Sequence, residues 1–378
     1  MPCHLAPGRS VELCRGKRMA RLDPSVFGLP VARLREGYYS DAYLNHARVL
    51  LAAEDRHPRV LMQVFQKHES TLGGIDEAIA VLRLGSGREG SNGVWQSGWD
   101  ELEVRALSEG DAIAPMETVL TIEGDYGLFA HLETVYLGCL ARRSLVMRNV
   151  RAVVRAAGGK PILFFPARHD HWLVQSGDGW SAHVAGAIGV STDAQASWWG
   201  GRGIGTVPHS LIAAFGGDTV AAADAFARRF ASEMNVTVLV DFDNDSAGTA
   251  IAVADRLGKR LWGVRLDTSE ALVDRALQGL PGDERERRGV TPELARRVRA
   301  ALNQAGHQRV RIVVSGGFDT ERIERFEAEN PPVDAYGVGS ALVRGSNDFT
   351  ADIVRVDGRP CAKVGREERP STRLRPVH

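Results

Sequence analysis

Between about residues 160 and 345 the sequence alternates apolar, strand-like runs with helical patterns, and this rhythm constrains the fold more than any other feature. Pro161 to Phe165 is an apolar run, and Ala182 to Val190 reads as a further β–α unit. Val236 to Asp243 leads to a helical Gly248 to Leu257, and Arg260 to Asp267 leads to a helical Ser269 to Gln278. Thr291 to Ala305 is helical, and Arg309 to Val314 is followed by a helix over Thr320 to Glu329. Val333 to Val338 is the last strand and runs into Gly339-Ser340. Strands joined through helices lie parallel, because a tight hairpin joins only antiparallel neighbours. The expected fold class is α/β, with an irregular βα barrel over residues 156–345. Chemistry in such a barrel gathers at the C-terminal ends of the strands.

The preceding region, 19–155, has a different pattern. Short strands at Val60 to Phe65, Leu102 to Leu107 and Val119 to Glu123 are separated by turns. Helices are expected over residues 38–53, Ile75 to Leu84 and Leu128 to Val154, and the Gly- and Ser-rich Ser86 to Gly98 reads as a loop. The expectation is an N-terminal α/β domain, β-rich and sandwich-like. The tail, 346–378, alternates briefly at Thr350 to Val356 and is expected to return to that domain. Residues 1–18 are basic and lack an apolar core, so they do not form a secretory signal and are expected to be disordered.

Composition removes several function classes. The formal net charge of the 378 residues is zero, which gives no electrostatic case for nucleic acid or an anionic membrane. No apolar stretch is long enough to span a bilayer. The four cysteines, at 3, 14, 139 and 361, form no metal or disulfide pattern, and a reduced cytoplasmic setting fits them. Of the few lysines, Lys160 and Lys259 precede strands instead of ending them, which argues against Schiff-base chemistry.

The residues that could carry chemistry sit at the expected strand ends. In Gly203 to Gly216 a glycine-rich approach, Gly205-Thr206-Val207-Pro208, delivers His209 to the start of a helix. A His there could accept, bind or shuttle phosphate, or simply cap the helix. Arg265 and Asp267 share one face of a strand and read either as a plain ion pair or as phosphate and sugar contacts. Asp241 and Asp243 could cap, contact a hydroxyl, or hold Mg²⁺ through water. Ser315-Gly316-Gly317 and Gly337-Val338-Gly339-Ser340 each open a helix, as phosphate clamps in barrels do, although loop glycines also make ordinary turns. Phe165 and Arg168 could stack a planar ring and hold its carboxylate, or be a core aromatic and a surface cation.

Taken together, Asp41-Ala42-Tyr43, Phe165-x-x-Arg168, Gly205-Thr206-x-x-His209, Arg265-x-Asp267, Ser315-Gly316-Gly317 and Gly337-x-Gly339-Ser340 resemble the nicotinate phosphoribosyltransferases. These form the type II phosphoribosyltransferases together with the nicotinamide and quinolinate enzymes. The resemblance runs from about residue 36 to 360. It implies a head-to-tail homodimer that shares its sites. It also implies transfer of nicotinate onto 5-phosphoribosyl-1-pyrophosphate, with Mg²⁺ on the leaving group and ATP coupled through a phosphohistidine at His209. It places Phe165 on one face of the pyridine and Tyr43 of the partner subunit on the other. Arg168, with His169, would lie near the nicotinate carboxylate or the phosphates. Arg265 and Asp267 would flank the ribose phosphate, and Gly316, Gly317, Gly339 and Ser340 would hold the 5-phosphate, beside Ser315 and Thr206. Asp193 stands where many members carry Asn, Ser340 where they carry Thr, and Phe164 where they carry an acidic residue. The cysteine-rich knuckle of some relatives is not expected with Cys361 alone.

Three other functions compete. Nicotinamide transfer would need no cation near the ring. Quinolinate transfer would need several, for two carboxylates. A non-catalytic phosphosugar-binding barrel would need neither His209 nor the base-stacking aromatics.

Overall fold

The computed structural model describes residues 20–377. The expectation for residues 1–18 lies outside them. Two units divide the chain: one holds the residues up to Arg148 and from Ser346 onward, and the other is Asn149–Gly345.

In the first unit β1 (Arg59–Phe65), β2 (Glu103–Ala106), β3 (Thr118–Asp125), β10 (Thr350–Val356), β11 (Arg359–Pro360) and β12 (Arg375–Pro376) form an antiparallel sheet. Its order is β11-β10-β1-β3-β2-β12. β1 is central, pairing Val64 with Leu120 on one side and Met62 with Ile353 on the other. All its residues after Arg59 are buried, as a strand covered on both faces requires. The tail strand β10 therefore completes a sheet begun almost 300 residues earlier. Helices α1 (Ala42–Ala53) and α2 (Ile75–Gly85) belong to this unit, and α3 (Glu133–Ala156) starts in it. Glu109 caps α2, accepting from the Gly74 N–H (2.8 Å) and the Ile75 N–H (3.0 Å), with burial pushing its carboxyl up to about 8. The expected loop at Ser86 to Gly98 is a hairpin instead. Gly87–Glu89 pairs with Trp95–Ser97 across a turn in which Gly93 has φ +73°.

The second unit is built on β4 (Ile162–Phe164), β5 (Gly189–Val190), β6 (Val236–Leu239), β7 (Leu261–Leu266), β8 (Arg311–Val314) and β9 (Ala335–Val338). They pair in parallel in the order β6-β7-β8-β9-β4-β5, a curled sheet. The two outer strands, β5 and β6, are bridged by a short stretch. The Ile204 N–H donates to the Val190 carbonyl (2.7 Å), and Val207 pairs in parallel with Val238. The loop that delivers His209 is therefore part of the barrel wall.

Helices α4 (Gln175–Ala185), α5 (His209–Ala214), α6 (Thr219–Phe230), α7 (Ser246–Leu257), α8 (Pro292–Gln304) and α9 (Thr320–Ala328) complete the unit. Two expectations differ here. Residues 182–190 hold the end of α4 and then β5, not a strand followed by a helix. Ser269 to Gln278 forms only a single 3₁₀ turn at Arg275–Leu277. The reason lies in Asp274, which is fully buried and accepts from the Ser246 hydroxyl (2.6 Å) and N–H (3.1 Å) at the start of α7. Those bonds pull the segment out of helical geometry. No helix of the described residues is long and apolar enough to cross a membrane.

Candidate active site

A cavity of about 460 Å³ opens at the C-terminal ends of the parallel strands, lined by Phe165, Arg168, Thr206, His209, Arg265 and Asp267 among others. These residues are spread over a hundred positions of sequence. The parallel sheet brings them to one rim, as the strand–helix rhythm predicts.

Arg265, at the end of β7, organises the cavity. Its Nε donates to Ser315 Oγ (2.7 Å), its Nη1 to Thr206 Oγ1 (3.3 Å) and its Nη2 to Asp267 Oδ2 (3.2 Å). The Ser315 hydroxyl, already an acceptor, donates its own proton to Asp267 Oδ1 (2.7 Å). One guanidinium thus ties β7, β8 and the bridging stretch together, and its carbon lies 5.2 Å from the centroid of the Phe165 ring. The planar fork of arginine permits this simultaneous bonding, which a lysine would not reproduce.

Strand alternation sends Phe164 into the core and Phe165 to the cavity. Gly337 on β9 makes room for that ring: a Cβ there would lie 2.6 Å from Phe165 Cε2. Arg168 follows in the turn Ala167–His169 and lines the same cavity. Its guanidinium has no hydrogen bond or ion pair among the described residues. His169 does not share that role. It packs on the glycine loop, where a Gly339 Cβ would lie 3.0 Å from His169 Cε1, and it is held below its ordinary pKa by burial and by Arg168 and Arg344. A neutral His169 leaves Arg168 as the cation of the pair.

His209 is the first residue of α5. Its Nε2 lies 3.2 Å from Asp241 Oδ1 at the end of β6, and its side chain is 42% exposed. That hydrogen bond raises its pKa, with burial opposing. The carboxylate fixes the tautomer, with the proton on Nε2 and the Nδ1 lone pair available. The Phe242 ring lies 6.3 Å away. Sequence reasoning offered Asp241 several roles but not this one. The signal for it was positional, since Asp241 ends the strand beside the one that leads to His209.

The remaining expected residues divide. Gly316 (φ +91°) and Gly317 (φ +67°) need the left-handed backbone only glycine adopts freely. A Cβ on Gly316 would lie 3.2 Å from Asp267 Oδ1, so this loop adjoins the Arg265 network. Ser340 Oγ accepts from Arg344 Nη2 (2.8 Å). Asp193 lines a neighbouring cavity of about 400 Å³, and its Oδ1 accepts from the Gly203 N–H (2.8 Å). It anchors the bridging stretch instead of facing the Arg265 cavity. Tyr43 stands on α1 of the first unit, 64% exposed, beside Asp41, whose carboxylate accepts from the Thr134 hydroxyl (2.8 Å). Asp243 is exposed, and no group of three or more His, Cys, Asp or Glu gathers as a metal cage among the described residues.

The chain is similar to proteins of one family. The family model for the N-terminal domain of quinolinate phosphoribosyl transferase matches residues 41–144. Nicotinate phosphoribosyltransferase pncB1 of Mycobacterium tuberculosis is 32% identical over 270 residues, which are 69% of this chain and 55% of the relative. The pncB2 enzyme of the same species is 31% identical over 265 residues. The chain spans about half the length of these curated relatives. The crystal structure of nicotinate-nucleotide pyrophosphorylase from Pyrococcus furiosus superimposes with a TM-score of 0.75 at 32% identity, over 89% of this chain and 79% of that one. Human nicotinic acid phosphoribosyltransferase shares the fold, with a TM-score of 0.62 at 19% identity over 85% of this chain and 76% of that one.

Proposed function

Because this chain belongs to the type II phosphoribosyltransferases, we propose that it is an ATP-coupled nicotinate phosphoribosyltransferase of NAD salvage, with Phe165, Arg168, His209, Arg265 and Asp267 as its working residues. The observation that carries this reading is one cavity lined by a half-exposed histidine with an available Nδ1, by the Phe165 ring and by Arg168, which has no partner among the described residues.

In the transfer step the nicotinate ring nitrogen forms a bond to the anomeric carbon of 5-phosphoribosyl-1-pyrophosphate, and the bond to the pyrophosphate oxygen breaks. The charge that builds on the sugar and the leaving group calls for placed charges, not a side-chain nucleophile. Phe165 stacks the pyridine, and Arg168 pairs with its carboxylate. Asp267, fixed by Arg265 and Ser315, faces the sugar hydroxyls. Arg265 and the Gly316-Gly317 and Gly339-Ser340 loops hold phosphate. Tyr43 of a second subunit covers the other face of the ring, which makes the homodimer the working form.

In the coupling step His209 Nδ1 takes the γ-phosphoryl group of ATP. A nitrogen–phosphorus bond forms, the bond to the β-phosphate oxygen breaks, and ADP leaves. Asp241 keeps the Nε2 proton in place and stabilises the positive ring. Mg²⁺, when bound, neutralises the departing pyrophosphate. Asp241 and Asp243 are hard oxygen donors that suit it through water, as one or two carboxylates with substrate phosphates commonly do.

A quinolinate reading is favoured by the match of the N-terminal domain model. Quinolinate carries two carboxylates, whereas the cavity offers one unpaired cation in Arg168. One assay decides between the readings: turnover of nicotinate, nicotinamide and quinolinate with the phosphosugar, with and without ATP. Nicotinate is expected to react fastest, with ATP stimulation. Preferred use of quinolinate, with release of carbon dioxide, would overturn the proposal, and no turnover of any base would favour a binding barrel.

A further inference from the structure

A second cavity, also about 460 Å³, lies wholly in the first unit, and the nicotinate reading gives it no task. Its lining includes Arg35, Arg48, Arg56 and Arg88 together with Trp95 and His57. Three of the four arginines have no carboxylate partner among the described residues. Arg35 Nε donates to the Leu84 carbonyl (3.0 Å), and its guanidinium lies over the Trp95 ring, 5.4 Å from the centroid. Arg48 Nη1 donates to the backbone carbonyl of Arg35 (3.1 Å), and both side chains line the same cavity. Arg56 is exposed, and its side chain makes no bond among the described residues. Arg88 has carboxylates only at 3.8 and 3.9 Å, those of Glu101 and Asp125.

The acidic residues in the lining do not balance this charge. Glu36 pairs with Arg33 (2.9 Å), outside the cavity, and Asp125 pairs with His57 (2.9 Å). Glu89 alone stands opposite Arg35, Arg48 and Arg56. The excess reaches the core behind: His131, buried and with its Nδ1 unpartnered, is pushed down to about 3 by burial and then by the charge of Arg48. Like charges gathered in a concave, partly desolvated place repel more than they would in water. Guanidinium groups with unused donors and an aromatic neighbour suit a phosphate, which accepts from several of them at once.

We propose that this cavity binds a phosphate-bearing small molecule, held by Arg35, Arg48 and Arg56. Its volume falls in the range of pockets that take a nucleotide-sized ligand.

The test is calorimetric titration of the full chain with inorganic phosphate and, separately, with AMP. The barrel binds phosphate as well, so variants separate the two sites. Arg265→Gln should keep one saturable phosphate site. Arg48→Gln and Arg56→Gln should each weaken that site at least tenfold, with Arg56 exposed enough to be replaced without disturbing folding. Tighter binding of AMP than of phosphate would identify an organic phosphate as the ligand, and equal binding would identify the free anion. The proposal is overturned if Arg265→Gln abolishes all saturable binding, or if neither Arg48→Gln nor Arg56→Gln changes the isotherm.

Discussion

Arg265 and Arg168 line the same cavity, and the fold treats them in opposite ways. Arg265 ends a strand, its side chain 16% exposed and bonded to Ser315, Thr206 and Asp267. Arg168 stands exposed in a turn, with no partner of its own among the described residues. A cation fixed by neighbours stabilises charge with little reorganisation at the moment of reaction. An unfixed cation loses side-chain freedom when it binds, about 1.5–2 kcal/mol for a fully ordered arginine, and recovers that only if the substrate offers an anion. Under the proposed function the fixed arginine therefore suits the phosphosugar, and the unfixed one suits discrimination between an acid and its amide.

Three substitutions put this contrast to the test. Arg265→Ala removes the charge and leaves Asp267 and Ser315 without their shared partner. We expect kcat/KM for the phosphosugar to fall by about 10²–10³, the size seen when a preorganised donor is removed. Steady-state kinetics would check it, and a loss under tenfold would remove Arg265 from the phosphate site. His209→Ala should abolish ATP stimulation while slow ATP-independent transfer continues. Full ATP coupling in that variant would take His209 out of the coupling step. Arg168→Gln should act on one substrate only, raising KM for nicotinate about tenfold, as loss of a charge-assisted bond of about 1.5 kcal/mol would, with KM for the phosphosugar nearly unchanged. If both constants rose together, Arg168 would belong with Arg265 and the contrast would fail.

The barrel half of the molecule was largely legible in the sequence. Its strands mostly alternate locally with their helices, and two strand ends announce themselves, with Arg265-x-Asp267 and Ser315-Gly316-Gly317. The first unit was less so: the return of the tail at Thr350 to Val356 was expected, but no local pattern says that β1 is the strand it pairs with. Within the site, residue types were readable but partners were not. The Asp241–His209 bond, the turning away of Asp193 toward Gly203 and the neutrality of His169 all depend on which strands the sheet makes neighbours. The missing helix at Ser269 to Gln278 has the same origin: its pattern is helical, but buried Asp274 is claimed by α7.

The gentlest probe concerns the proton on His209. Asp241 raises the pKa of that imidazole above 6.5, because its carboxylate favours the charged ring. The charged ring has no lone pair on Nδ1 and cannot take a phosphoryl group. ATP-dependent stimulation should therefore increase as pH rises through the raised value, once the ring is neutral. Stability runs the other way: the bond to Asp241 contributes fully below the unfolded pKa and is lost as pH climbs through the folded one. Asp241→Asn keeps a hydrogen-bond acceptor for Nε2–H but removes the charge. The acidic limb of the ATP-stimulation profile should then move to lower pH, while the profile of ATP-independent transfer stays where it was. A limb that did not move would mean that Asp241 holds the ring without setting its charge. A limb that moved in both profiles would mean that His209 serves the transfer step itself, and the division of labour between the Arg265 and His209 ends of the cavity would have to be redrawn.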